Sequence, residues 1–237
     1  MMTTPAIKQI EQLVESVPGF TPIDQLYTLF SLSLATQGVP GGLLEIGSWC
    51  GRSTVALGLA ARLTGNSRVC CVDLFPSVDD WTENADGSHS FKVVVDGKTY
   101  AANQEQTVWK EPWEKHYVDL YKRYPRIFDA FTETINRAQL SDLVDVRRGD
   151  SDVLGALPAN SFRLAFLDGD HSYAAVAKDI RNVDRVLSPG GWICFDDAFS
   201  VYDGVNEAIN EFIIGGTSFE LCQQMTRKLF VARKKRV

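Results

Sequence analysis

Five short runs rich in apolar residues recur along the chain: LLEIGSW, RVCCVDLF, DLVDVRRGD, RLAFLDGD and GWICFDDAF. Most lack the polar–apolar alternation of a strand with one wet face, so they read as strands buried on both faces. Before or between them lie segments with helical spacing, STVALGLAARL, YVDLYKRYPRIFDAFTETINRAQ, YAAVAKDIRNVDRVL and YDGVNEAINEFI. Strands of this kind alternating with helices call for a mostly parallel, doubly wound sheet covered by helices. The chain closes with FELCQQ and KLFVARK, two strand-like runs joined by a short polar turn, which suit an antiparallel hairpin at the sheet's edge.

One segment breaks the alternation. Residues 76 to 117 follow the second strand and contain FKVVVDGKTY, whose Asp-Gly is a favoured two-residue hairpin turn, together with Trp81, Trp109 and Trp113. A chain leaving that strand crosses the carboxyl edge of the sheet, where α/β proteins bind ligands. The segment reads as an insertion, either a lid over a substrate or a packed loop or oligomer contact. The remainder reads as a single domain over 1–237, opened by helices within 1–38.

The 237 residues, 45% hydrophobic and 23% charged, are ordinary globular material. A net charge of -6 argues against a nucleic-acid surface, and the basic tail ARKKRV is too short to reverse that. The start, MMTTPAIKQIEQLVESVPGF, has no basic segment followed by an apolar run, and no stretch approaches ~18 uninterrupted apolar residues, so the expectation is a soluble, cytoplasmic protein with no membrane partner. Cys50, Cys70, Cys71, Cys194 and Cys222 are odd in number, lack C-x-x-C spacing and read as free thiols, mostly buried.

LLEIGSWCGRST places Glu45, Gly47 and Gly51 at a strand-to-helix turn, where glycines admit a ligand close to the backbone and the helix start offers free N–H groups. It is not a phosphate loop, because only three residues separate Gly47 from Gly51 where that loop needs four, and Arg52 follows; nor is it G-x-G-x-x-G, because position 49 is tryptophan. An acid two residues before the glycine would repel a phosphate and attract an ammonium group, which favours a cationic or zwitterionic ligand. Asp73, ending the next strand, has the spacing of a carboxylate that grips ribose hydroxyls.

FLDGDHSY and WICFDDAF each end an apolar run in paired acids. In a parallel sheet the ends of successive strands lie side by side, so Asp168, Asp196 and Asp197 converge at one edge. Three carboxylates together repel one another unless a cation lies between them. All-oxygen ligands suit Mg²⁺, Ca²⁺ or Mn²⁺ better than zinc. Each acid taken alone also reads as a cap or turn former, Asp170 above all, before a helix starting near Ser172.

The ordered set LLEIGSWCGRST, VCCVDLF, RRGDS, FLDGDHSY and SPGGWICFDDAF resembles class I methyltransferases that use S-adenosylmethionine, over about residues 40 to 235. Within them, the DGDHSY and GG-x-x-x-x-DD pair is most similar to small O-methyltransferases with a divalent metal, including those that methylate antibiotic sugars. The resemblance implies a Rossmann-like fold with the loop around Gly47 against the methionine part of the cofactor, Asp73 on the ribose, and Asp150 with Ser151 near the adenine. The implied cofactor-binding set is Glu45, Gly47, Ser53, Asp73, Asp150 and Ser151. The same trio, Asp168, Asp196 and Asp197, is implied as metal ligands, with Mg²⁺ the expected ion.

Methyl transfer asks the protein to align an acceptor oxygen and remove its proton. Asp170 and His171 are the two candidate bases, His171 by intrinsic pKa and Asp170, ranked slightly ahead, by analogy with the sugar-modifying relatives; His171 also reads as a residue that only orients the loop. A small-molecule hydroxyl (sugar, catechol-like or other natural product) is the expected acceptor, and a homo-oligomer is left open. The rival readings are a non-catalytic cofactor-binding module and, further off, an NAD-type oxidoreductase.

Overall fold

The computed structural model describes residues 6–65, 67–101 and 107–236. Helices α1 (Ala6–Val14) and α2 (Ile23–Ala35) precede β1 (Gly42–Ile46), α3 (Arg52–Thr64) and β2 (Val69–Asp73). The insertion supplies β3 (Trp81–Glu83), β4 (His89–Val95) and β5 (Lys98–Ala101). A short turn of helix, α4 (Lys110–Pro112), runs through a wide π turn (Trp113–Tyr117) into α5 (Val118–Arg123). Then follow α6 (Ile127–Arg137), β6 (Val144–Arg148), β7 (Phe162–Leu167), α7 (Tyr173–Val186), β8 (Leu187–Phe195), α8 (Asp203–Ala208), β9 (Phe219–Gln224) and β10 (Phe230–Lys234).

Seven strands form one sheet in the order β6-β2-β1-β7-β8-β10-β9. The first five are parallel, and β10 pairs antiparallel with both β8 and β9. The parallel strands are apolar on both faces because each face is covered: Leu43, Cys71, Leu164 and Phe166 pack towards α2, α3 and α6, while Leu44, Val72, Ala165 and Leu167 pack in the cluster with α7 and α8. Where the sequence reads as one helix from Tyr117 to Gln139, the chain is broken between α5 and α6 around Pro125. Proline has no N–H for the helix ladder and pushes the residue before it out of helical geometry. Tyr124 is accordingly extended, at φ -131° and ψ 95°.

The strand ends are zipped together by backbone hydrogen bonds that continue past the strands. Gly47 N–H donates to Val72 O, Asp168 N–H to Ile46 O, Asp196 N–H to Leu167 O and Gly149 N–H to Asp73 O, all at 2.8–2.9 Å. Residues far apart in sequence are thereby fixed at neighbouring positions on one edge. The insertion is a second, three-stranded antiparallel sheet, β3-β4-β5. Phe91, Val93 and Val95 form its small core with Leu74, Trp81 and Tyr100. Its Asp96-Gly97 turn has φ of 49° and 79°, the left-handed pair that a tight hairpin needs. Cys50, Cys70, Cys71 and Cys194 are buried free thiols, and Cys222 is a free thiol on the surface. Among the described residues no helix is long and apolar enough to cross a membrane.

Candidate active site

A cleft of about 880 Å³ runs along the carboxyl edge of the sheet. Gly47, Ser48, Ser53, Asp73, Asp150 and Ser151 line it at the ends of β1, β2 and β6; Asp168, Asp170, His171, Asp196 and Asp197 line it at the ends of β7 and β8. The insertion adds a further wall, with Trp81 and Trp109 facing the cleft, whereas Trp113 is packed between His89 and Tyr117 with ring centroids 3.9 and 5.2 Å away.

Asp73 accepts the backbone N–H of Trp49 (2.8 Å) and of Phe75 (2.6 Å). Both donors are bulky residues with left-handed backbones, φ 41° and 48°, a conformation that costs about 1–3 kcal/mol each. One carboxylate therefore secures two strained turns beside the cleft. Burial pushes the Asp73 carboxyl up, against the opposing pull of the N–H groups of Trp49, Phe75 and Ser48. A carboxylate has about four lone-pair sites, so these backbone donors leave some capacity for ligand hydroxyls.

Glu45 differs from expectation. It is fully buried and does not line the cleft. Its side chain lies beneath the glycine loop, where Ser48 and Thr54 donate to it and the Cys71 sulfur lies 3.5 Å away. Burial pushes its carboxyl up, opposed by hydrogen bonds from Ser53, Thr54, Ser48 and Cys71. The acid before the glycine braces the loop from behind instead of meeting an ammonium group, and Ser53, though on the cleft wall, hydrogen-bonds to it. Gly47 has φ 87°, and a Cβ there would stand 2.0 Å from Asp168 O, so strand-end packing already demands glycine.

Asp150 caps the turn that follows β6 by accepting the Asp152 N–H (3.2 Å), and Lys98 and Lys178 both pair with its carboxylate. Ser151 is buried, with its hydroxyl accepting from Asn182 Nδ2 at 3.0 Å. Asp170 accepts the Ser172 N–H at 2.7 Å, and Ser172, not Asp170, caps α7.

The paired acids come together, and a cation lies among them that the sequence reading did not find. Lys228 Nζ is 3.1 Å from Asp196 Oδ2 and 3.2 Å from Asp197 Oδ1. Burial works against the charge on Asp197, but His171 and Lys228 outweigh it and hold the carboxyl below its usual range. Burial also opposes the charge on Lys228; the three aspartates reverse that and raise it. Asp168 is pushed well above the carboxylate range by burial and by the neighbouring Asp196. The ring of His171 stacks on Tyr202 (4.0 Å), and its Nε2 lies 3.1 Å from Asp197 Oδ2.

The side chains whose ligand atoms lie within 4.8 Å of one another are Asp168, His171 and Asp197; Asp196, the third acid of the expected trio, lies beside Asp168 and pairs with Lys228, as Asp197 does. An imidazole with two carboxylates is a donor set that divalent first-row ions accept. The residues fit a divalent metal in that arrangement. Lys228 was in principle legible: β10 is antiparallel to β8 with Phe230 opposite Phe195, and continuing that register sets residue 228 against Asp197.

A family model described as a methyltransferase domain matches residues 44–198, more than half of the chain. The chain belongs to this methyltransferase family. The solved structure of the O-methyltransferase NovP aligns with this methyltransferase over 98% of its chain and 97% of NovP, with a TM-score of 0.66 and 15% identity. An O-methyltransferase from Bacillus cereus in complex with SAH aligns over 100% and 93%, with a TM-score of 0.58 and 16% identity. The O-methyltransferase TomG from Streptomyces achromogenes, involved in tomaymycin synthesis and in complex with SAM, aligns over 99% and 92%, with a TM-score of 0.57 and 15% identity. At these identities the likeness is one of fold, and it spans the whole methyltransferase, insertion included.

Proposed function

We propose that this methyltransferase is a class I enzyme that uses S-adenosylmethionine to methylate a hydroxyl of a small molecule, such as a sugar, a catechol-like compound or another natural product. The observation that carries the reading is the single cleft that joins the Gly47–Asp73 end to the acid and histidine cluster. A cofactor module without catalysis has no use for that second cluster.

S-adenosylmethionine supplies the methyl group on a sulfonium, already activated for transfer. The protein's part is placement and proton removal. Asp73 holds the ribose through its remaining lone pairs, and the loop at Gly47 and Ser48 carries the methionine portion. Asp168, His171 and Asp197 are the residues that would hold a divalent ion, and such an ion would supply Lewis acidity towards the acceptor hydroxyl. Asp170, which lines the cleft beside them, takes the proton. Tyr202, stacked on His171, fixes the imidazole plane.

A second reading has one observation in its favour: the Lys228 ammonium already neutralises part of the cluster. In that reading no ion is required, and His171, oriented by Asp197, is the base.

Calorimetry with S-adenosylhomocysteine tests the assignment. The wild-type protein binds it, and Asp73→Ala weakens binding by about 1.5–3 kcal/mol, the scale of charge-assisted hydrogen bonds. Binding of NADH with none of S-adenosylhomocysteine defeats the proposal.

A further inference from the structure

We infer that the insertion is part of the cofactor site: strand β5 forms the outer wall of the nucleoside end of the cleft, held by Lys98, and the cofactor enters and leaves by opening that contact. The inference rests on the cofactor reading above, and it shifts the insertion's role from the acceptor, where the sequence points, towards the cofactor.

Lys98 and Tyr100 are two residues apart on β5 and so project from the same face. That face meets the end of β6. Lys98 Nζ lies 2.7 Å from Asp152 Oδ2 and 3.2 Å from Asp150 Oδ2. The Tyr100 hydroxyl is 3.6 Å from where a Cβ on Gly149 would stand. Lys98, Tyr100, Gly149 and Asp150 all border the one cleft. Asp150 is thus gripped from two sides, by Lys98 of the insertion and by Lys178 of α7.

The two grips differ in how readily they open. Lys178 belongs to a helix packed against the main sheet. Lys98 belongs to a hairpin whose own core is only Phe91, Val93 and Val95 with three partly buried neighbours. Its side chain is 48% exposed and that of Asp152 51%, so water and salt screen the pair, and each such contact is worth at most about 1 kcal/mol. A contact that weak holds the wall closed most of the time and lets it open at ordinary temperature. Closing it covers the nucleoside end without touching the acid cluster.

Stopped-flow tryptophan fluorescence on the full-length protein tests this with two probes, S-adenosylhomocysteine and 5′-methylthioadenosine, which carries the nucleoside without the amino-acid part. Lys98→Met is expected to raise the dissociation rate of both probes by a similar factor, about fivefold. It should also flatten the salt dependence of dissociation seen in the wild type, while Lys98→Arg restores both. A purely structural hairpin contact would lower the melting temperature of Lys98→Met and leave both dissociation rates unchanged, which overturns the wall while the cofactor reading stands. A rate change for S-adenosylhomocysteine alone overturns its placement at the nucleoside end. Wild-type protein that binds neither probe overturns the cofactor reading, and this inference with it.

Discussion

Asp179 of α7 has only 6% of its surface exposed, and burial pushes its carboxyl up to about 7, with a hydrogen bond from Ser151 working the other way. An aspartate in the unfolded chain titrates near about 3.9. The folded state therefore binds more protons than the unfolded state between those values. Asp179's contribution to stability is fullest below the unfolded pKa and is lost as pH rises through about 7. Asn keeps the shape and is neutral throughout, so the stability of Asp179→Asn relative to the wild type should rise by about 2–3 kcal/mol between pH 5 and pH 8. Thermal melts at the two pH values check this. An equal difference at both would mean that the acid is charged in the folded protein all along. The Lys228 ammonium is the counter-charge that the pair Asp196 and Asp197 meets at the sheet's carboxyl edge.

Several turns in this fold bend the backbone into the left-handed region, and some of them lie at or beside the cleft. Trp49, Phe75 and Asp197 do so without being glycine, each within a few residues of a strand end. The insertion's hairpin uses the same conformation for a different purpose. Gly97 has φ 79° and open space around its missing side chain, so alanine there meets no clash and suffers only the left-handed strain. Gly97→Ala should therefore destabilise the hairpin by about 1–2 kcal/mol. Hydrogen exchange should show faster opening of residues 89–101, with the main sheet unaffected. Equal loss of protection in β7 would show that the insertion and the main sheet unfold as one unit.

At the scale of the molecule, the site exists because three chain segments, 168–171, 196–197 and 228, are brought to one sheet edge. If the ion reading holds, chelation should abolish turnover and Mg²⁺ restore it. Mn²⁺ binding followed by electron paramagnetic resonance should then weaken more than about tenfold in His171→Gln and far less in Asp196→Asn, which lies outside the three-residue cluster. Full turnover after chelation would favour the Lys228 reading. Much of this was legible in the chain itself, because apolar runs buried on both faces, alternating with helices, leave little choice but a parallel sheet, and its strand ends must then share an edge. Asp73, Asp168 and Asp197 stand at strand ends for that reason, and the Asp-Gly turn specifies its hairpin by local geometry alone. Other features depend on which face a side chain takes and on what lies opposite it. Glu45 turns behind its loop, Asp196 pairs with a lysine 32 residues away, and Lys98 reaches Asp150 across 52 residues. Those pairings are set by how the hairpins pack on the sheet, and only the tertiary structure decides them.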